Sequence, residues 1–429
     1  MQEYSSLVDI AHRTIGPHIW TNPEIYRQEQ ERVFRQSWLY VGHDSQIPLP
    51  GDFITNYMGE EPVLVWRGRE GEIRVFLNSC RHRGMRLCRV DDGNAQRLTC
   101  PFRGWTYDSS GKLVAVPQFQ NAYFGELDRE QWGLIEVPRV QAYRGLIFAC
   151  IDPGVPDLNA YLGDARWYLD LAFGLSSEGL EALSGTQKWT LNSNWKLGAE
   201  NFAGDNYHTQ ITHASFITLG QVTQFGGRQP WERDFEVKLE GGHGILCITG
   251  EYPPDVEPTL RPYFERLTEK CVREGRLNET QARMVVGGVH VGTIFPNFSY
   301  SRVLGCLTVR NWHPRGVDRM EAWVTGLIEK DAPEAIRQVC RRMMIRGLGA
   351  SGLIEMDDTE VWNGCQETLR GAFRADFPVN YQMGAGHERR EADRPGLICA
   401  SPKEASCFGF YERWVELMNH GDGAGRSKR

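Results

Sequence analysis

The chain has 429 residues, which at roughly 150 residues per domain predicts two or three domains. Its 48 Lys and Arg against 55 Asp and Glu give a net charge of −7, which offers no basis for nucleic-acid binding. Hydrophobic residues at 41% and charged residues at 24% exclude extended disorder, and no apolar run approaches the roughly 18 residues of a membrane span.

The start of the chain, Met1 to Ser6, lacks a basic region followed by an apolar stretch, so no secretory signal is expected. Residues 1–37 read as a helical segment packing on the catalytic domain. Asn22-Pro23-Glu24 marks a helix start, and a charged, periodic stretch follows to Phe34. From 38 to 155 short β-like runs recur around Trp38, Pro62, Ile73 and Gly145, separated by Gly and Asp clusters, as in a small all-β domain. Beyond Asp152-Pro153-Gly154 the pattern becomes mixed, and 156–429 reads as a larger domain of sheet and helices. Within it, 285–311 and 319–329 look like strands. Ala332 to Leu348 reads as a helix with Asp331 as its cap and Pro333 in its first turn. The fold class expected is α+β. The eleven cysteines are scattered and odd in number, which points to a reducing cytoplasm rather than a disulfide framework. Cys150, Cys247, Cys271, Cys306 and Cys340 read as small buried hydrophobes.

Two constellations carry chemistry. In the β-domain, Cys80-Arg-His82 is followed, after seventeen intervening residues, by Cys100-Pro-Phe-Arg103-Gly104-Trp105. Two Cys-containing loops could pinch a metal centre, with Cys80 and Cys100 binding as thiolates and His82 through a ring nitrogen. Cys-x-His, a spacer, then Cys-x-x-His is the signature of a Rieske [2Fe–2S] centre. Here the fourth ligand position is Arg103, which stays protonated and has no lone pair for iron. Engineering, natural divergence and a sequence error all stand as sources of that residue. Cys88 is not an obvious substitute.

The second constellation runs from Asn194 to His213. Asp205 and His208 are three apart, so on a helix they share a face. His213, five residues on, would be rotated about 140° away on an ideal helix. The two imidazoles can therefore meet one ion only if the helix ends or distorts between them. Two His and a distant carboxylate form the facial triad of non-haem Fe(II) oxygenases. The acidic stretch Leu353-Ile354-Glu355-Met356-Asp357-Asp358 supplies three candidates, Glu355, Asp357 and Asp358. His243, His290 and His313 read as strand or loop histidines.

Over nearly its whole length the chain resembles the catalytic α subunit of Rieske-type aromatic ring-hydroxylating dioxygenases, nearest to the biphenyl, benzene and naphthalene dioxygenase group. The runs that carry the likeness are His82-Arg-Gly-Met-Arg-Leu-Cys88, Cys100-Pro-Phe, Gln187 to Lys196, Asn311-Trp-His-Pro-Arg-Gly316 and Gly352 to Asp358. The resemblance implies a small all-β Rieske domain and a catalytic domain built on a twisted antiparallel sheet flanked by helices. It implies a Rieske cluster, a mononuclear Fe(II), and cis-dihydroxylation of an aromatic ring with O2 and NADH-derived electrons. The partners it implies are a ferredoxin, an NADH-dependent reductase and a small β subunit in an α3β3 assembly, or an α3 trimer alone. The apolar-Glu-x-Asp-Asp motif makes Asp358 the third ligand beside His208 and His213. Asp205 is implied to link a cluster histidine to an iron-ligating histidine across a subunit boundary. Asn201, Phe202, Asn206 and Ile354 match pocket-lining positions. No Arg or Lys stands out as a clamp for a carboxylate, so a hydrocarbon-like arene is favoured over a benzoate. Arg103 is expected to impair this activity. The competing expectations are a catalytically silent scaffold subunit and a non-oxygenase metalloprotein.

Overall fold

Asn22 opens the helix Pro23–Glu29, because its side-chain oxygen accepts the otherwise orphaned backbone N–H groups of Glu24 and Ile25. The computed structural model describes residues 4–183, 185–215, 234–248, 259–285, 288–303 and 305–420. They form two compact units, one of residues 34–158 and one of residues up to Val33 together with those from Asn159 onward. The mixed composition and the two kinds of unit make the fold α+β.

The smaller unit is built of short antiparallel strands. One sheet orders Ile73–Leu77, Glu61–Arg67, Asp52–Met58 and Asp92–Asn94; a second joins Arg139–Tyr143, Leu146–Cys150 and Leu39–His43. A third, Leu113–Ala115, Thr106–Asp108 and Arg97–Thr99, is a small meander. A core of Phe53, Leu64, Trp66, Phe76, Trp105 and Tyr107 also buries Cys80 and Cys100.

The larger unit is organised by an antiparallel sheet of nine strands among the described residues. Its centre is Met320–Glu329, Cys306–Pro314, Phe298–Val303, Val289–Ile294 and Gly244–Ile248. The helix Trp195–Asn201 is capped by Asn194, whose oxygen accepts from Lys196 N, and is tied to the sheet where Thr293 Oγ1 donates to Ala199 O at 2.7 Å. A 17-residue helix, Leu353–Leu369, and a 15-residue helix, Ala405–Asn419, complete the frame. No helix among the described residues is long and apolar enough to cross a membrane.

Two expectations change. The first 37 residues are not wholly helical: Val8–Asp9 and Thr14–Ile15 are short strands, and Thr14–Ile15 pairs with Val379–Asn380. The helix expected over 332–348 is α-helical only from Glu334 to Met343 and continues as a π-type turn through Leu348. Pro333 stands at its N-cap and Asp331 does not cap it, because its carboxylate accepts from Ser176 Oγ at 2.7 Å instead.

Candidate metal and substrate site

The helix Trp195–Asn201 ends before the first functional residue, so Asp205 and His208 do not share a helical face as the spacing predicted. An Asx turn brings them together: Asp205 Oδ1 accepts from Tyr207 N at 2.9 Å and His208 N at 3.3 Å, while Oδ2 lies 3.1 Å from His208 Nδ1. One short helical turn, Thr209–Thr212, then carries the chain to His213 at its C-cap. No break separates the two histidines: Thr212 N donates to His208 O and His213 N to Thr209 O, so they flank a single helical turn and the expected distortion between them is absent. The two imidazoles stand 5.1 Å apart between ring centroids, at 76°.

Asp358 completes the group from the helix Leu353–Leu369. Its Oδ1 is 3.4 Å from His208 Nε2 and 3.3 Å from His213 Nε2, and one ligand atom from each residue lies within 4.8 Å of the others. Asp357 faces a different way, 3.6 Å from His213 Nδ1 and accepting from Ser215 Oγ. Glu355 is not in the group, because Arg310 holds it in a fully buried ion pair. Burial alone would lower the His208 pKa, but Asp205 and Asp358 outweigh it and raise it to about 10. For His213 burial prevails and lowers it. Burial also pushes Asp205 up, but His208 outweighs that and leaves it below its ordinary value. Two imidazole nitrogens with one carboxylate oxygen on one side fit a mononuclear iron.

The triad closes one side of a cavity of about 110 Å³. Its walls come from three adjacent strands through one face of the sheet. Leu246 and Ile248 stand opposite Val291 and Val289, which in turn stand opposite Ser301 and Val303. Phe202, Leu348 and Ile354 close the remaining apolar sides, and Asn201 lines it as well. Of the four residues expected in the pocket, Asn206 is the exception: it is buried elsewhere, its Nδ2 donating to Ser401 Oγ at 2.8 Å. The sequence reading missed Arg310, which reaches the cavity and lies 4.5 Å over the Phe202 ring. His243 and His290 are held by backbone: Nε2 of His243 lies 3.0 Å from Tyr161 O, and that of His290 2.6 Å from Met284 O. Burial lowers both to about 4. His313 is buried edge-on to Trp323.

In the smaller unit the two ligand loops are built alike. Cys80 N donates to Met85 O and Gly84 N to Cys80 O; Cys100 N donates to Trp105 O and Gly104 N to Cys100 O. Gly84 and Gly104 take positive φ, +71° and +72°, which other residues adopt only with strain. The Cys80 thiol is buried 3.4 Å from Tyr107 OH, and burial raises its pKa. His82 stacks flat on Trp105 at 4.9 Å, and burial followed by the Arg103 charge lowers it. Arg103 is exposed, with its guanidinium 3.8 Å over the Phe102 ring. Cys80, Cys100 and His82 fit three of the four positions of a Rieske cluster; a guanidinium at the fourth does not.

Such a pairing of an all-β cysteine–histidine unit with a sheet-and-helix unit holding a facial triad defines a class of oxygenases. Residues 158–420 match the catalytic domain of the ring-hydroxylating α subunit, and residues 37–141 match the Rieske [2Fe–2S] domain. The chain belongs to the aromatic ring-hydroxylating dioxygenase α-subunit family, a family of oxidoreductases whose cofactors are a Rieske cluster and a mononuclear iron. It is 40% identical to the biphenyl 2,3-dioxygenase α subunit of Rhodococcus jostii, covering 98% of this chain and 92% of that one. It is 38% identical to a benzene 1,2-dioxygenase α subunit of Pseudomonas putida, covering 98% and 94%. The structure superposes on naphthalene 1,2-dioxygenase from Rhodococcus sp. bound to indole with a TM-score of 0.87, at 34% identity over 97% of each chain.

Proposed function

We propose that this chain is the terminal oxygenase α subunit of a system that cis-dihydroxylates a hydrocarbon-like arene. The observation that carries the reading is the convergence of His208, His213 and Asp358 on one side of an apolar cavity. Those three would hold Fe(II), which when bound supplies O2 activation. The chain's own residues do the rest. Asp205 fixes the His208 ring through Nδ1, so that Nε2 faces Asp358. Phe202, Ile354 and the aliphatic strand faces hold a flat apolar ring beside the triad and keep water from it. Domain limits of 38–155 and 156–429 suit this division of labour, with the β-domain built for the cluster. The partners proposed are a ferredoxin, an NADH-dependent reductase and further subunits, as α3β3 or α3, in the cytoplasm.

Turnover in this chain is impaired, because Arg103 stands where the cluster needs a fourth ligand. A catalytically silent subunit is the second reading, and the same residue favours it; the assembled triad supports the first. Iron and acid-labile sulfide per chain, with an EPR spectrum after dithionite reduction, test the proposal on this chain and on Arg103→His. The expected result is about one iron without a Rieske signal here, and about three irons with that signal in the variant. The variant then turns over biphenyl or naphthalene with NADH, reductase and ferredoxin. A loaded variant that fails to turn over favours the silent subunit. Iron missing from the triad in both proteins refutes the oxygenase reading.

A further inference from the structure

The inner polar wall of the cavity is unevenly satisfied. Arg310 uses four of its five N–H groups: Nε donates to Glu355 Oε1 at 2.9 Å, Nη2 bonds the same oxygen, and Nη1 donates to Ser301 and Thr308 hydroxyls at 2.9 and 2.6 Å. Oε1 of Glu355 takes both bonds from Arg310, while Oε2, in a fully buried residue, has no hydrogen-bond partner among the described residues. Glu355 lines the cavity together with Asp358. Three residues apart on one helix, they project from the same face, one turn from each other. A buried carboxylate oxygen without a donor is costly, and it is the kind of group that a ligand completes.

We propose that Glu355 Oε2 is a polar subsite of the arene pocket, accepting a hydrogen bond from an N–H or O–H carried by the bound ring. The substrate class is then an aromatic with a single hydrogen-bond donor, such as an indole, an aniline or a phenol. The anchored edge lies toward Glu355, and the ring edge beside it lies toward His208, His213 and Asp358. Donor position on the ring thereby sets which carbon–carbon bond is presented to the triad. Arg310 is already paired with Glu355 and two hydroxyls, and a benzoate would meet the Glu355 charge.

This inference rests on the arene-pocket reading above, and the test separates the two. Binding of indole, N-methylindole and benzothiophene to the full chain is measured by titration calorimetry at pH 8.5, with naphthalene as the hydrocarbon control. The three heteroarenes are close in size, and only indole has a donor. Indole is expected to bind about tenfold or more tighter than either analogue. In Glu355→Gln, which keeps a carbonyl for Arg310, the ratio of indole to N-methylindole affinity falls to near unity. Equal affinities in the unaltered chain overturn the proposal and mean that Oε2 is satisfied by water. A preference that persists in Glu355→Gln also overturns it, since another acceptor is then responsible. If that variant does not fold, as judged by circular dichroism, the indole to N-methylindole ratio in the unaltered chain decides. If not even naphthalene binds, the arene pocket itself fails and takes this inference with it.

Discussion

Replacing Lys196 by Met should destabilise the larger unit more than deleting both members of the ion pair to which it belongs. Glu29 is fully buried and takes three donors: Lys196 Nζ at 2.5 Å, Trp195 Nε1 at 2.9 Å and Trp414 Nε1 at 2.8 Å. Lys196 is fully buried too, and burial lowers its pKa although Glu29 works against that. Removing the ammonium leaves a charge in a dry site with only two neutral donors. Breaking a buried pair in this way costs about 3–5 kcal/mol. The double variant Glu29→Gln, Lys196→Met removes both charges and keeps a carbonyl for one of the two indoles, so its loss should be smaller than that of Lys196→Met alone. Urea unfolding followed by tryptophan fluorescence reads the difference, because Trp195 and Trp414 report this very site. A double variant at least as unstable as Lys196→Met would refute the reasoning, since an uncompensated Glu29 would then not be the source of the cost.

Asp358→Ala should abolish iron binding at the triad while Asp357→Ala retains it, because only Asp358 faces both Nε2 atoms; metal analysis of the purified variants decides. Asp205→Asn should weaken Fe(II) binding about 10- to 100-fold, since it loosens the ring that His208 offers to the metal; Co(II) competition measures it. Glu404 should make stability fall as pH rises from 4.5 to about 6. Burial raises its folded value to about 6 from 4.5, so across that window the native state holds the proton that the unfolded chain has released. In Glu404→Gln the urea midpoint should depend less on pH there.

The parts of the site legible in the sequence are those whose partners sit close together or in a fixed motif. Cys80 with His82, Cys100 with Arg103, and His208 with His213 are local patterns, and Asp358 follows from the acidic motif around it. What the sequence hid comes from register across distant segments. Arg310 and Glu355 are 45 residues apart and meet only because a strand and a helix pack together. Leu246, Val291 and Ser301 form one wall only through the pairing of three strands. The Asx turn at Asp205 replaces the helix that a three-residue spacing suggests, since the carboxylate competes for the backbone N–H groups that a helix would use. Asn206 illustrates the limit of position matching: one step along that turn, its side chain points to Ser401 and away from the cavity.

The ligand loops around Cys80 and Cys100 are each closed by two main-chain hydrogen bonds and a glycine in the left-handed region, and none of these bonds uses the side chain at position 103. Their shape therefore rests on the main chain and not on the residue at position 103. For biogenesis this predicts that cluster insertion follows folding, on loops already shaped by their main chain. A chain altered at position 103 should then pass the earlier checkpoint, and any defect should show only at the later one. Pulse-labelled protein of this kind should accumulate at normal abundance, with its defect visible in metal content rather than in turnover by proteases.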